Sequence, residues 1–470
     1  MSKTKKRIIL TVAIACVVIY FFVNIFPHIY IQFFSGKNHL SGDSSTINLS
    51  FEDLTDTSFI AKEHHDVEEL TIKHSSINDL SFMNISTLRS ITFENCTFNG
   101  KPVDFDKSYT AIYFNCCEYD FIKNFEDIDV KYVGIVRSEL ENLSFIFENF
   151  HNMTDLAISL STIKSFQGIK DIPTLEAMGL YGIFNEDISE IAKLKSLKSL
   201  SLNYLTTSDI SFIRQMNIES LTLDNLHSIR DIDFITEMPK LTNIQINSCE
   251  MAYSEKLVNH LSEMKNNTSN SIIFNEEDLQ IKERIHSLTE SLVDNSMSDR
   301  EKVIAAISYI CNLMSYDMRI VPSEGGFINP EYDENVLSEE LVSQYNNYGL
   351  KSALDGKGVC LNYAEITTVL LNKMGITAYS ITNGVHIWNL VQIDDEYFWI
   401  DVTSIDSGLI EYDNINDHPD FLAPLDSYSF LSRNFLFNIP PQIYDETHSL
   451  YGYLKEDQKK LSENALKISS

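Results

Sequence analysis

The chain is short of positive charge. Its 470 residues hold 36 Lys and Arg against 67 Asp and Glu, a formal net charge of −31. A phosphate backbone is held by clustered basic residues, so nucleic acid is excluded as an expected partner. Cysteine is scarce as well, with seven in the whole chain. No two of them form a C-x-x-C pair, which argues against a structural zinc site and against a thioredoxin-type motif. No cluster of His, Cys and carboxylates has ligand spacing, so neither a metal nor another cofactor is expected. An odd count leaves at least one thiol free, and a dense disulfide framework is not expected at this length. Apolar residues, in contrast, make up 44% of the chain and charged residues 22%, the balance of a globular protein. A chain this long calls for two or three domains.

One segment lacks charge altogether. Residues 8–26 read IILTVAIACVVIYFFVNIF, with Asn24 the one strongly polar side chain. A helix needs about 20 apolar residues to cross a bilayer. Lys3, Lys5, Lys6 and Arg7 precede the run, and positive flanks stay cytoplasmic. The segment is therefore expected to be an uncleaved single-pass anchor in the cell membrane, with the rest of the chain outside. A cleaved signal peptide would want a shorter apolar core and a small-x-small site. The expected division is an anchor and cytoplasmic tail over 1–36, a repeat domain over 37–275, a second domain over 276–440 and a tail over 441–470.

The repeat is read from the pattern apolar-x-x-apolar-x-apolar. It appears as VEELTI around Leu70, TLRSITF around Ile91, YTAIYF around Ile112 and VKYVGI around Val133. MTDLAI, LEAMGL, LKSLSL, IESLTL and LTNIQI continue it through Leu156, Met178, Leu200, Leu221 and Ile244. The steps are 21, 21, 21, 23, 22, 22, 21 and 23 residues, and Leu49 lies 21 before Leu70. A fixed period of this size marks a solenoid, with one short strand per coil burying its apolar face on its neighbours. The segment resembles a leucine-rich repeat array of the short bacterial kind, similar to the internalin type. In such a repeat, the residue three after the last strand apolar points inward. Cys96, Cys117 and Cys249 fall there, so they are expected to be packing residues. The solvent-facing strand positions are mostly small and uncharged. Tyr113, Tyr132 and Tyr181 are the aromatic residues available to bind a ligand along the concave side.

After the repeats the period changes. SDREKVIAAISYICNLMSYD opens with Ser298 and Glu301, a capping box, and places Val303, Ala306, Ile307, Ile310 and Met314 at helical spacing. Cys311 is expected in the core of that helix. A polar loop over 321–350 leads to DGKGVCLNYAE, where Gly356 and Gly358 break regular structure just before Cys360. From Cys360 a helical pattern runs to a stop at Gly375. The partial positive charge at a helix start favours a thiolate over a thiol, and the thiolate is the nucleophile. Further on, VHIWNLVQI and YFWIDVTSI alternate with strand period around Asp394-Asp395-Glu396, a polar hairpin turn. Folding about residue 394 is expected to bring His386 within one residue of direct register with Asp401. A nucleophile, a base and a group to orient the base are then all present. Trp388 is expected to pack in the core.

DGKGVC with NYA, HIWN, DEYFWIDVT and the helix ending in Tyr316-Asp317 resemble the transglutaminase-like superfamily, an α+β papain-related fold. The resemblance covers about 298–405 and implies that Cys360, His386 and Asp401 are the catalytic triad. This chain departs from the family in having Asn362 where Gly is usual, Val385 and Ile387 where a small residue is usual, and Ser404 where Trp is usual. The resemblance implies acyl transfer: thiolate attack on an amide gives a thioester, which water hydrolyses or an amine captures. The expected partner is a protein or a cell-wall peptide, with the repeats selecting it. A cross-linking transglutaminase and a non-catalytic surface binding module are the alternatives. For the oxyanion, the Cys360 backbone N–H is the expected donor and Tyr348 a candidate side chain.

Overall fold

The computed structural model describes residues 48–100, 104–183, 187–294, 296–316, 349–382, 386–406, 416, 418 and 420–424. The expected anchor at 8–26, Tyr348, Val385 and most of the C-terminal tail lie outside them. Among the described residues no helix is long and apolar enough to cross a membrane. These residues form two compact units that divide between Glu276 and Glu277.

The first unit is built on one parallel sheet. Eleven strands follow one another in chain order from Asn48–Glu52 to Ser271–Phe274, and the two-residue strand Phe150–His151 pairs beside them. Parallel pairing, in chain order, of strands about 22 residues apart is the topology of a solenoid, consistent with leucine-rich repeats. The register is unbroken. Leu49 pairs with Leu70, Leu70 with Ile91, Ile91 with Ile112 and Ile112 with Val133. Leu156, Met178, Leu200, Leu221 and Ile244 extend the same row, and Ile272 ends it. All of these that follow Leu49 are buried. The last coil is longer and holds the helix Glu255–Lys265.

Two features repeat with the strands. The residue after most strands has positive φ, as at His74, Asn95, Cys116, Arg137, Leu160, Tyr204, Asn225 and Ser248. This left-handed residue turns the chain inward, so that the next side chain enters the interior. Those next residues are Ser75, Cys96, Cys117, Ser138 and Ser161, and they form a hydrogen-bond ladder from coil to coil. The Leu54 N–H donates to Ser75 Oγ at 2.9 Å, Cys117 N–H to Ser138 Oγ at 3.1 Å and Ser138 N–H to Ser161 Oγ at 3.1 Å. The N–H groups of Ser75 and Cys96 donate to the Cys96 and Cys117 sulfurs in the same way. Second, the turns between strands open on an Asx residue. Asp79, Asp187, Asp209 and Asp231 each accept the N–H two residues on, at 2.7 to 2.9 Å, and start a 3-10 turn.

The second unit surrounds the helix Cys360–Lys373, which is buried over almost its whole length. Helices Asp278–Leu292 and Asp299–Leu313 pack against it. The latter carries the expected Ser298–Glu301 capping box. Residues 321–348 of the expected polar loop lie outside the described residues, and Gly349 and Leu350 belong to the helix Gly349–Leu354. On another side of the central helix lies a four-stranded antiparallel sheet, in the order Ala378–Thr382, Ile387–Ile393, Glu396–Ile400, Ala423–Pro424.

Candidate active site

Cys360 is the first residue of its helix. The chain reaches it through two glycines that cannot be replaced freely. Gly356 has φ +86°, and a Cβ there would stand 2.8 Å from the Leu313 carbonyl oxygen. This close approach lets Ser315–Tyr316 pair with Lys357–Gly358 and ties the end of one helix to the start of the next. A Cβ on Gly358 would meet Asn362 at 2.5 Å. Asn362, in turn, accepts the Val359 N–H through Oδ1 at 3.0 Å and donates Nδ2 to the Gly349 carbonyl at 3.2 Å. The helix start bearing the thiol is thus clamped by a buried amide.

The hairpin sits one step away from the position the sequence suggested. The turn is Asp394-Asp395, both with positive φ, the two-residue arrangement that matches strand twist. Glu396 is already in the strand and pairs with Ile393. The centre of the hairpin therefore lies between 394 and 395, and His386 and Asp401 are diagonal neighbours instead of direct ones. They meet nonetheless because Asp401 has left the strand. It precedes the short helix Val402–Asp406 and caps it, its Oδ1 accepting the Ser404 N–H at 3.1 Å. Its other oxygen, Oδ2, lies 2.9 Å from His386 Nε2.

His386 also hydrogen-bonds the Cys360 side chain. With Nε2 engaged by Asp401, Nδ1 is the ring nitrogen that faces the thiol. The three residues named from sequence are therefore brought together in the order thiol, imidazole, carboxylate. The imidazole is 16% exposed and the carboxylate 1%. Burial opposes a charged ring. Asp401 overcomes it by its charge and hydrogen bond, with a further contribution from Cys360, and the ring is pushed up to about 10. A protonated imidazole beside a thiol is the partner a thiolate needs.

Trp388 is buried, as expected, and its ring stacks on His386 with centroids 5.7 Å apart and planes 27° apart. Asn389 fixes the same strand to the Cys360 helix through the Ala364 carbonyl and Thr368 Oγ1, both at 2.9 Å. Tyr363, on the Cys360 helix, donates its hydroxyl to Asp406, at the end of the helix that Asp401 caps. Thiol, imidazole and carboxylate each stand at the start of a different element, and these side chains hold the elements together. Sequence reasoning missed Asn389, Tyr363 and Asp406 in this role. An Asp three residues before Ser404 is an N-cap pattern that was there to be found.

Cys311 is half-buried instead of lying in the core. Burial, with the nearby Asp406, pushes its thiol up to about 12. On the repeat unit, Tyr113 and Tyr132 pack on each other with centroids 5.2 Å apart, over Gly134, where a Cβ would meet Tyr113 at 2.6 Å. Tyr181 meets Tyr204 edge to face at 5.4 Å. Tyr181 is three strands from Tyr113 in the sheet, so the expected binding tyrosines form two groups. Among the described residues no group of His, Cys, Asp and Glu could hold a metal ion.

No protein-family model matches the chain, and no curated protein matches it. Among solved structures it is similar to a crystal structure of a TGase, at 18% identity and a TM-score of 0.22, over 36% of this chain and 44% of that one. It is also similar to an internalin from Listeria monocytogenes, at 18% identity and a TM-score of 0.31, over 48% of this chain and 74% of that one. The chain spans less than half the length of that TGase.

Proposed function

We propose that the second unit is a cysteine acyl-transfer enzyme acting on an amide, and that the repeats bind its protein or cell-wall peptide substrate. The observation that carries this reading is that His386 hydrogen-bonds both Cys360 and Asp401. Cys360, its proton lodged on Nδ1 of His386, attacks the amide carbonyl as the thiolate. A carbon–sulfur bond forms and the carbonyl π pair moves to oxygen, toward the backbone N–H that opens the Cys360 helix. Collapse breaks the carbon–nitrogen bond, and the imidazolium protonates the departing amine. Water, deprotonated by His386, then attacks the thioester and releases the acid and the thiolate. An amine in place of water gives an isopeptide bond by the same steps. Asp401 keeps Nε2 protonated throughout, so that Nδ1 is free to exchange the proton.

On this reading residues 8–26 anchor the chain in the cell membrane and both units lie outside. The test is alkylation by an iodoacetamide probe, followed residue by residue in the intact chain. Cys360 should label faster than Cys311, and His386→Ala should abolish the difference. Equal labelling, unchanged by His386→Ala, would remove the enzyme reading and leave a binding module. A labelled primary amine offered with a peptide library then separates cross-linking from hydrolysis.

A further inference from the structure

Asp401 is held by a ring of hydrogen bonds that the catalytic steps do not use. Its Oδ1 accepts the Ser404 N–H at 3.1 Å. The Ser404 hydroxyl donates to Asp420 Oδ2. The main-chain carbonyl of the same Asp420 accepts the Asp401 N–H at 3.0 Å. The ring thus closes on Asp401, with one bond to its side chain and one to its backbone. The fold explains why Asp420 is there. The strand Ala423–Pro424 runs antiparallel to Glu396–Ile400, with Trp399 opposite Ala423, so the residues just before Ala423 lie alongside those just after Ile400. A second imidazole supports the far side, since the Asp420 N–H donates to His418 Nδ1 at 3.1 Å. Asp401, Asp420 and His418 are all buried.

We infer that Ser404 and Asp420 are positioning residues that fix the place and plane of the Asp401 carboxylate, so that the oxygen not taken by the Ser404 N–H meets His386 Nε2. The inference rests on the Cys360–His386–Asp401 reading. The two carboxylate oxygens are equivalent, so a half-turn changes nothing, but a carboxylate that only caps a five-residue helix can still swing its plane away from the His386 ring. The serine hydroxyl, drawn to Asp420, holds the Ser404 backbone where its N–H keeps that plane in line with the ring. Ser404 therefore acts through Asp401. The position that departs from the family's Trp has a definite partner here.

The test uses the full chain and two readouts, the iodoacetamide labelling rate of Cys360 and the titration of the His386 ring followed by NMR. Ser404→Ala and Asp420→Ala should each slow labelling about tenfold or more, as expected when a catalytic group is displaced by a fraction of an ångström to an ångström. Each should also move the His386 titration down toward that of an ordinary imidazole. Ser404→Thr and Asp420→Asn keep a hydroxyl donor and an acceptor oxygen, and should restore both readouts to within about twofold of the unaltered chain. They also answer the objection that an alanine variant has failed to fold. In an Asp401→Ala background, Ser404→Ala should change neither readout further. The inference is overturned if the alanine variants label and titrate like the unaltered chain, or if Ser404→Ala still acts when Asp401 is gone. Failure of the underlying reading looks different, because Cys360 of the unaltered chain would then label no faster than Cys311 whatever stands at 404.

Discussion

The two units set the same side chain in opposite surroundings. Cys96 and Cys117 lie inside the solenoid, each accepting the N–H of the preceding coil through sulfur and giving its own proton to a carbonyl. Cys96 Sγ is 3.3 Å from the Ile72 oxygen and Cys117 Sγ 3.6 Å from that of Phe93. Burial pushes both thiols up, away from the reactive form. Serine does the same work one and two coils on, at Ser138 and Ser161. Cys360 stands at a helix start against an imidazole. A thiol is inert where its neighbours are carbonyls and amides of a repeating backbone, and useful where one neighbour can hold its proton. The local partner decides the role.

The largest effect that would sharpen this contrast is loss of reaction. Cys360→Ala and His386→Ala should each lower turnover of an amide substrate by roughly 10³-fold or more, and the double variant should be no worse than either single one. Steady-state rates on a responsive peptide from the library measure this. Additive losses would mean that the two residues do not act as a unit.

Next come the solenoid interiors. Ile112 and Leu200 are fully buried in the unbroken row. Replacing either by Ala should cost about 2–5 kcal/mol of stability by the cavity it leaves. Urea unfolding followed through the repeat unit should show the cost, and the Cys360 labelling rate at low urea should stay as it was. A change in labelling as large as the change in stability would break the separation between the two units' chemistry.

A third effect depends on pH. The His386 ring is raised from 6.5 to about 10 in the folded chain. Below about pH 6.5 the ring is charged in both folded and unfolded chains, so the interaction with Asp401 contributes its full stability. As pH rises toward 10 the unfolded chain has lost the proton while the folded chain still holds it, and the contribution is lost. The stability difference between the unaltered chain and His386→Gln should therefore be greatest in mild acid and shrink steadily in base. Urea midpoints across that range test it, and a difference that grows with pH would mean that Asp401 does not hold the charge on the ring.

These features were not equally legible in the sequence. The row from Leu49 to Ile244 was readable because every coil restates it within six residues, and a parallel stack laid down in chain order turns local spacing directly into register. The grouping of Cys360, His386 and Asp401 was readable because a helix start and a hairpin are also local patterns. The hairpin was misjudged by one residue, since an Asp-Asp turn with two left-handed residues needs only two positions and Glu396 belongs to the strand. The supports were not readable. Asn389 reaches back 25 residues to Ala364, Tyr363 reaches 43 to Asp406, and Asp420 arrives beside Asp401 through a strand pair of two residues. No period links such positions. The departures at Asn362 and Ser404 were visible, but what they do depends on Gly349 and Asp420, which only the folded chain brings near.

The smallest effect is the one that tests the ladder itself. Cys96→Ser and Cys117→Ser should change stability by no more than about 1 kcal/mol, because a hydroxyl offers the same acceptor to the preceding coil and the same donor to a carbonyl. Cys96→Val fills a similar volume but leaves the Ser75 N–H without its acceptor, and should cost about 1–3 kcal/mol. The comparison isolates one hydrogen bond from packing. If serine and valine cost the same, the sulfurs are mere filler and the ladder ends at Ser75. If serine is tolerated and valine is not, the thiols are rungs. Serine at 360 would keep the helix start but not the reaction, so one replacement would then be silent in one unit and decisive in the other.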